Sequence, residues 1–136
     1  MITDYFSLEG KRALITGAGK GIGARIATAF AEMGADVALL ARTQSDLDAV
    51  ASEVRALGRD VRTFACDVTD EAALAAVVRE LSDSWGSLDI LINNAGAPGQ
   101  GYGSLKKVDK ARFENTLEIN LTSAYTLTHL ALPLLK

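Results

Sequence analysis

The chain has little of the chemistry that holds small proteins together covalently or through metal. Its one cysteine, Cys66, can form no internal disulfide, and with His129 as the only histidine no Cys/His zinc cluster can be assembled. A reducing compartment suits such a sequence. The two prolines, Pro98 and Pro133, stand alone, and there are no repeats, low-complexity tracts or linker-like stretches to separate domains. No apolar run is as long as a membrane span, and the first ten residues have neither a basic segment nor an apolar leader. The basic residues are dispersed and the net charge is −3, which argues against nucleic acid or an anionic membrane as the main partner. What is present is ordinary for a globular protein: 136 residues, 49% hydrophobic and 23% charged, enough for one domain with a real core. The expectation is a single cytoplasmic domain over 1–136.

Strand-like and helix-like patterns alternate along the chain. Arg12 to Thr16 has the short apolar core of a buried parallel strand. Ile22, Ile26, Phe30 and Met33 then recur at helical spacing, with Gly34 placed to end the helix. A second strand is predicted over Val37 to Ala41. A second helix follows, capped by Ser45, with Leu47, Val50, Val54 and Leu57 on one face and Gly58 as its stop. Val61 to Cys66 reads as the third strand. Thr69 is expected to cap a helix that carries Leu74, Val77, Val78, Leu81 and Trp85 inward. Leu88 to Asn93 is the fourth strand. After a Gly-rich loop comes a long last pattern of Phe113, Leu117, Leu121, Ala124, Thr128 and Leu132, which Pro133 bends or ends. Strands joined by amphipathic helices imply right-handed crossovers. The fold class is therefore α/β, a Rossmann-type doubly wound parallel sheet of strand order 3-2-1-4.

Between the first strand and its helix lies Thr16-Gly17-Ala18-Gly19-Lys20-Gly21-Ile22-Gly23. Glycines at 17, 19, 21 and 23 let backbone approach a bulky anion, and the N-terminus of the next helix offers N–H groups and a positive dipole end. A P-loop would need Ser or Thr after Gly-Lys, and Gly21 stands there instead. A glycine-rich turn with no ligand is the plain alternative. If the loop holds a pyrophosphate, the ligand lies across the carboxyl ends of the strands. After the second strand the chain reads Ala41-Arg42-Thr43, with no carboxylate at the strand end. Arg42 and Lys20 together favour a 2′-phosphate, hence NADP(H) over NAD(H). Asp67 is placed to bond the adenine amine while Val68 packs on the ring, or else Asp67 is only a turn residue.

At the end of the fourth strand stands Asn93-Asn94-Ala95-Gly96, and with it the whole constellation resembles the short-chain dehydrogenase/reductase superfamily. The Thr-Gly-x-x-x-Gly-Ile-Gly loop, Cys66-Asp67-Val68 and the Asn-Asn-Ala-Gly segment occur in order and at compatible spacing over the entire chain. The resemblance implies cofactor contacts from Gly17, Gly19, Lys20, Gly21, Ile22, Gly23, Arg42, Asp67, Val68, Asn94, Ala95 and Gly96. It implies hydride transfer between NADP(H) and a carbonyl or alcohol carbon of a small-molecule substrate, and a homodimer or homotetramer.

Asn120, in Glu-Ile-Asn-Leu, resembles the family's catalytic asparagine, which sits at a helix kink in the proton relay; a polar residue satisfied inside a helix bundle is the alternative. Tyr102 and Lys106 spell the family's Tyr-x-x-x-Lys signature but are read as a decoy. Gly101 and Gly103 flank the tyrosine, and the signature belongs beyond a fifth strand. Tyr125 with His129 is read as an aromatic beside a surface histidine. By the resemblance, the serine, tyrosine and lysine of catalysis fall after Lys136. The chain is thus expected to be a C-terminally incomplete cofactor-binding part, inactive alone. Its alternatives are an inactive NADP(H)-binding half-domain and a self-associating interaction module, the latter suggested by an apolar edge at strand four.

Overall fold

The computed structural model describes residues 1–97 and 104–136. Four parallel strands, β1 (Arg12–Thr16), β2 (Asp36–Ala41), β3 (Val61–Ala65) and β4 (Ile90–Ile92), form one sheet of order β3-β2-β1-β4. Register runs Leu14 opposite Ala38 on one side and Leu91 on the other. Between the strands lie α1 (Gly21–Glu32), α2 (Gln44–Ala56) and α3 (Glu71–Trp85). The chain then passes through α4 (Lys110–Leu117), a π-helical turn (Glu118–Thr122) and α5 (Ser123–Ala131).

Alternation along the strands divides the core into two sides. Ala13, Ile15, Val37 and Leu39 pack against Ala27, Ala31, Leu47, Val50 and Val54 of α1 and α2. Leu14, Ala38 and Leu40 face Leu74, Leu81 and Trp85 of α3 and Leu127 and Ala131 of α5. The sheet is thus covered on both faces, as parallel strands require. Because the strand order reverses between β1 and β4, a crevice opens at their carboxyl ends.

Several local expectations are corrected. The buried stripe of α1 is Gly23, Ala27, Thr28 and Ala31, while Ile22 is exposed, because small residues let the helix lie close on the sheet. The helix α2 starts two residues earlier than a Ser45 cap would have it: Thr43 is the N-cap, without a side-chain bond, and Leu57 ends up exposed at the C-cap. Asp70, not Thr69, caps α3, accepting from Ala73 N–H at 3.0 Å, because Thr69 is turned to Asp67. Strand β4 is shorter than Leu88 to Asn93.

The largest departure is in the last helix. The π turn inserts an extra residue into the helical phase, so the stripe read as one face does not stay on one face. Ser123, Leu127 and Ala131 are buried, whereas Phe113, Leu117, Leu121 and Leu132 are exposed. The helix ends at Ala131, just before Pro133, which cannot donate to the helical ladder. Leu135 then bridges in parallel with Leu88, so the chain begins to pair along the outer side of β4.

Candidate nucleotide site

The crevice between β1 and β4 continues into a cavity of about 380 Å³. Its floor is the glycine turn. Gly17 has φ +62° and Gly21 φ +59°, a left-handed backbone that side chains disfavour. At Gly23 the φ is helical, but the space is closed: an added Cβ would lie 2.1 Å from the Gly17 carbonyl oxygen and 2.6 Å from Asn94 Nδ2. Only glycine lets the first turn of α1 pass this close to the end of β1. Lys20 is the N-cap of α1 without a side-chain capping bond, and no acidic residue occupies the first turn. The free N–H groups and positive dipole end of this helix therefore remain available to an anion in the cavity.

Thr16, which the sequence reading passed over, ties the turn to β4. It is buried, and its Oγ1 accepts from Asn94 N–H at 3.0 Å and from Ala95 N–H at 2.9 Å. Asn94 answers by donating through Nδ2 to the carbonyls of Thr16 and Gly17, each at 3.2 Å. A hydroxyl at the carboxyl end of the central strand, next to a glycine turn, was the signal available. Asn120 stands in the π turn. Its Oδ1 accepts from Ala97 N–H at 3.2 Å, while Nδ2 donates to Ala97 at 3.0 Å and Thr116 at 2.9 Å. The side chain is thus a clamp on the segment after β4, and a Cβ on Gly96 would stand 2.8 Å from its Oδ1.

Of the residues expected to hold a cofactor, Gly17, Gly19, Lys20, Ile22, Arg42, Asp67, Val68, Asn94, Ala95 and Gly96 line this one cavity, and Gly21 and Gly23 shape its floor. Ile119 and Ala97 close its far end. Asp67 has its carboxyl held below the ordinary 3.8 by hydrogen bonds from Thr69 N–H and Oγ1, at 2.9 and 2.8 Å, with Arg42 adding to the effect. It is therefore an ionised acceptor already occupied in a local turn. Cys66 is pushed up to about 11, first by partial burial and then by the neighbouring Asp70 and Asp67 charges. Its thiol stays protonated. The cavity also contains a carboxylate that the sequence reading did not count, Asp46 from the first turn of α2. Tyr102 lies outside the described residues, so the Tyr102 and Lys106 spelling has no geometry to report. Tyr125 and His129 are stacked, with ring centroids 5.9 Å apart, on an outer face of α5.

A parallel sheet with a topological switch point, a glycine turn at an open helix N-terminus and a cavity across both is the architecture common to dinucleotide-binding α/β proteins. A profile of the short chain dehydrogenases matches residues 11–136. The chain belongs to that family of oxidoreductases. It is 41% identical to an uncharacterised oxidoreductase of Mycobacterium tuberculosis over 135 residues, 99% of this chain and 51% of that protein. Carveol dehydrogenase from Mycobacterium avium, solved with NAD, superposes with a TM-score of 0.88 at 30% identity, over 93% of this chain and 50% of that one. L-Sorbose reductase from Gluconobacter frateurii, solved with NADPH and L-sorbose, gives a TM-score of 0.88 at 32% identity, over 94% and 48%. The chain spans about half the length of these relatives. Family neighbours bind either nicotinamide dinucleotide.

Proposed function

We propose that this chain is the NADP(H)-binding part of an oxidoreductase acting on a small-molecule carbonyl or alcohol. The observation that carries the reading is the single cavity that runs from Lys20, Arg42 and Val68, over the glycine turn, to Asn94, Gly96 and Ile119. Bound there, a nicotinamide cofactor supplies or accepts the hydride that interconverts carbonyl and alcohol. The chain's own residues bind and orient it. The α1 N-terminus and the glycine backbone take the pyrophosphate, and Lys20 and Arg42 attract a 2′-phosphate. Val68 offers an apolar face to the adenine and Asp67 an acceptor. Asn94 and Gly96 flank the nicotinamide end, held by Thr16 from one side and by Asn120 through Ala97 from the other. We assign Asn120 a positioning role beside its place in the proton relay.

The ionisable residues lining the cavity, among those described, are Lys20, Arg42, Asp46, Cys66 and Asp67. Nucleotide binding is the activity we assign to the chain on its own. The exposed Phe113, Leu117, Leu121, Tyr125 and Leu132 support a second property, self-association of a cytoplasmic homo-oligomer. Among the described residues no helix is long and apolar enough to cross a membrane.

The test is a fluorescence titration of the chain with NADPH and NADH beside the Arg42→Ala variant. Saturable binding that prefers NADPH, with that preference cut about tenfold in the variant, is the expected result; a charge-assisted contact to phosphate is worth about 1.5–3 kcal/mol. Absence of binding to either nucleotide refutes the reading.

A further inference from the structure

Lys20 and Arg42 account for attraction to a 2′-phosphate, but they are not alone at that end of the cavity. Asp46 sits in the first turn of α2, where Thr43 as N-cap leaves it free of any capping bond. An ideal Cβ on Gly19 would stand 3.0 Å from Asp46 Cβ, 3.3 Å from Ala41 Cβ and 3.8 Å from Asp46 Oδ2. Asp46 and Ala41 thus both approach Gly19, and Gly19 precedes Lys20 as Ala41 precedes Arg42. Asp46 is partly buried and lines the same cavity as both. Among the described residues its carboxylate makes no hydrogen bond and no ion pair.

A carboxylate at this place acts against one cofactor and not the other. A phosphate held between Lys20 and Arg42 brings like charge near it, whereas a ribose hydroxyl brings none. We propose that Asp46 is a third specificity residue of the nucleotide site: packed against Gly19 in the cavity that Lys20 and Arg42 also line, it opposes the 2′-phosphate that they attract and keeps NAD(H) usable. This rests on the nucleotide-binding reading above and deepens it. It also gives a physical reason why two cations need not make the site exclusive for NADP(H).

The experiment is a titration of the chain and of Asp46→Asn with NADPH and with NADH, repeated with 2′,5′-ADP and 5′-AMP, which carry only the adenosine end. Asp48→Asn is the control, since Asp48 is exposed on the same helix, outside the cavity, and bonded to Gln44. In Asp46→Asn the preference for NADPH over NADH rises about three- to tenfold, the effect expected of a carboxylate roughly 8 Å from a phosphate dianion in a solvated site. The gain shrinks in 0.5 M salt, where a Debye length of roughly 4 Å is shorter than the separation of the two charges. A purely structural role for Asp46 would weaken both nucleotides together and leave their ratio alone. An unchanged ratio, or an equal change in Asp48→Asn, overturns this inference while leaving the nucleotide site standing. Failure of the unmutated chain to bind any of the four probes overturns both.

Discussion

Gly23→Ala sets two physical effects against each other, and the structure says which one wins. Gly23 lies inside α1 with ordinary helical φ, so helix propensity alone favours alanine by about 0.8–1 kcal/mol. Against this, the new Cβ would stand 2.1 Å from the Gly17 carbonyl oxygen and 2.6 Å from Asn94 Nδ2. Backbone and side chain must separate by about 1 Å to reach ordinary contact, and both are fixed: Gly17 by its turn, Asn94 by its bonds to Thr16 and Gly17. Overpacking of this kind costs about 1–3 kcal/mol, and loss of the Asn94 bond to Gly17 adds about 1 kcal/mol. The net destabilisation is about 2 kcal/mol, or roughly 6–10 °C in Tm for a chain of this length. Circular dichroism melts of the two proteins measure it. Gly58→Ala is the natural contrast, because its Cβ would meet nothing within 4 Å and only its φ of +77° resists alanine, at about 1–2 kcal/mol. Nucleotide titration separates the two variants further: Gly23→Ala weakens NADPH at least tenfold, while Gly58→Ala, far from the cavity, leaves the affinity alone. A Gly23→Ala protein that melts at or above the temperature of the parent refutes the reasoning, since propensity would then have outweighed the close approach.

Thr16→Val preserves shape and removes the hydroxyl that accepts from Asn94 N–H and Ala95 N–H. Ala95 N–H loses its partner while Asn94 N–H keeps the Ile92 carbonyl at 3.1 Å, which costs about 1–3 kcal/mol in urea unfolding; a loss under about 0.5 kcal/mol shows that the clamp between β1 and β4 is dispensable. Cys66, with its thiol pushed up to about 11, reacts with iodoacetamide at pH 8 at least tenfold more slowly in the folded chain than in urea. Because the folded value lies above the unfolded one near 9, its contribution to stability is intact below pH 9 and falls away as pH rises toward 11. Cys66→Ser flattens that part of the pH profile, and an identical slope in both proteins excludes the assignment.

The alternation of strands and helices, the order of the sheet and the glycine turn were legible in the amino-acid sequence. Each rests on a local property: period two or 3.6 in apolar residues, a glycine where a side chain would block the turn, and the right-handed crossover that orders successive parallel strands. Most of the residues gathered around the cavity were legible for the same reason, since they follow directly on strand ends; Asp46 and Ile119 do not. The family was legible because three such segments fall in order along one chain.

What the periodicity could not show is phase and company. The last helix has the apolar spacing of a buried stripe, yet the π turn at Glu118–Thr122 shifts its phase and leaves Phe113, Leu117 and Leu121 exposed. Pro133 marks a helix end in any reading, but only the fold brings Leu135 beside Leu88. Thr16 was an ordinary strand residue until β4 came alongside it with two N–H groups to satisfy. Asp46 was an acidic residue in a helix first turn until α2 docked it against Gly19. These contacts join residues distant in sequence, so they depend on how closely the helices seat on the sheet, which no local pattern specifies. The sequence by itself determined which strand ends face the crevice; the tertiary structure decided which charges gather there.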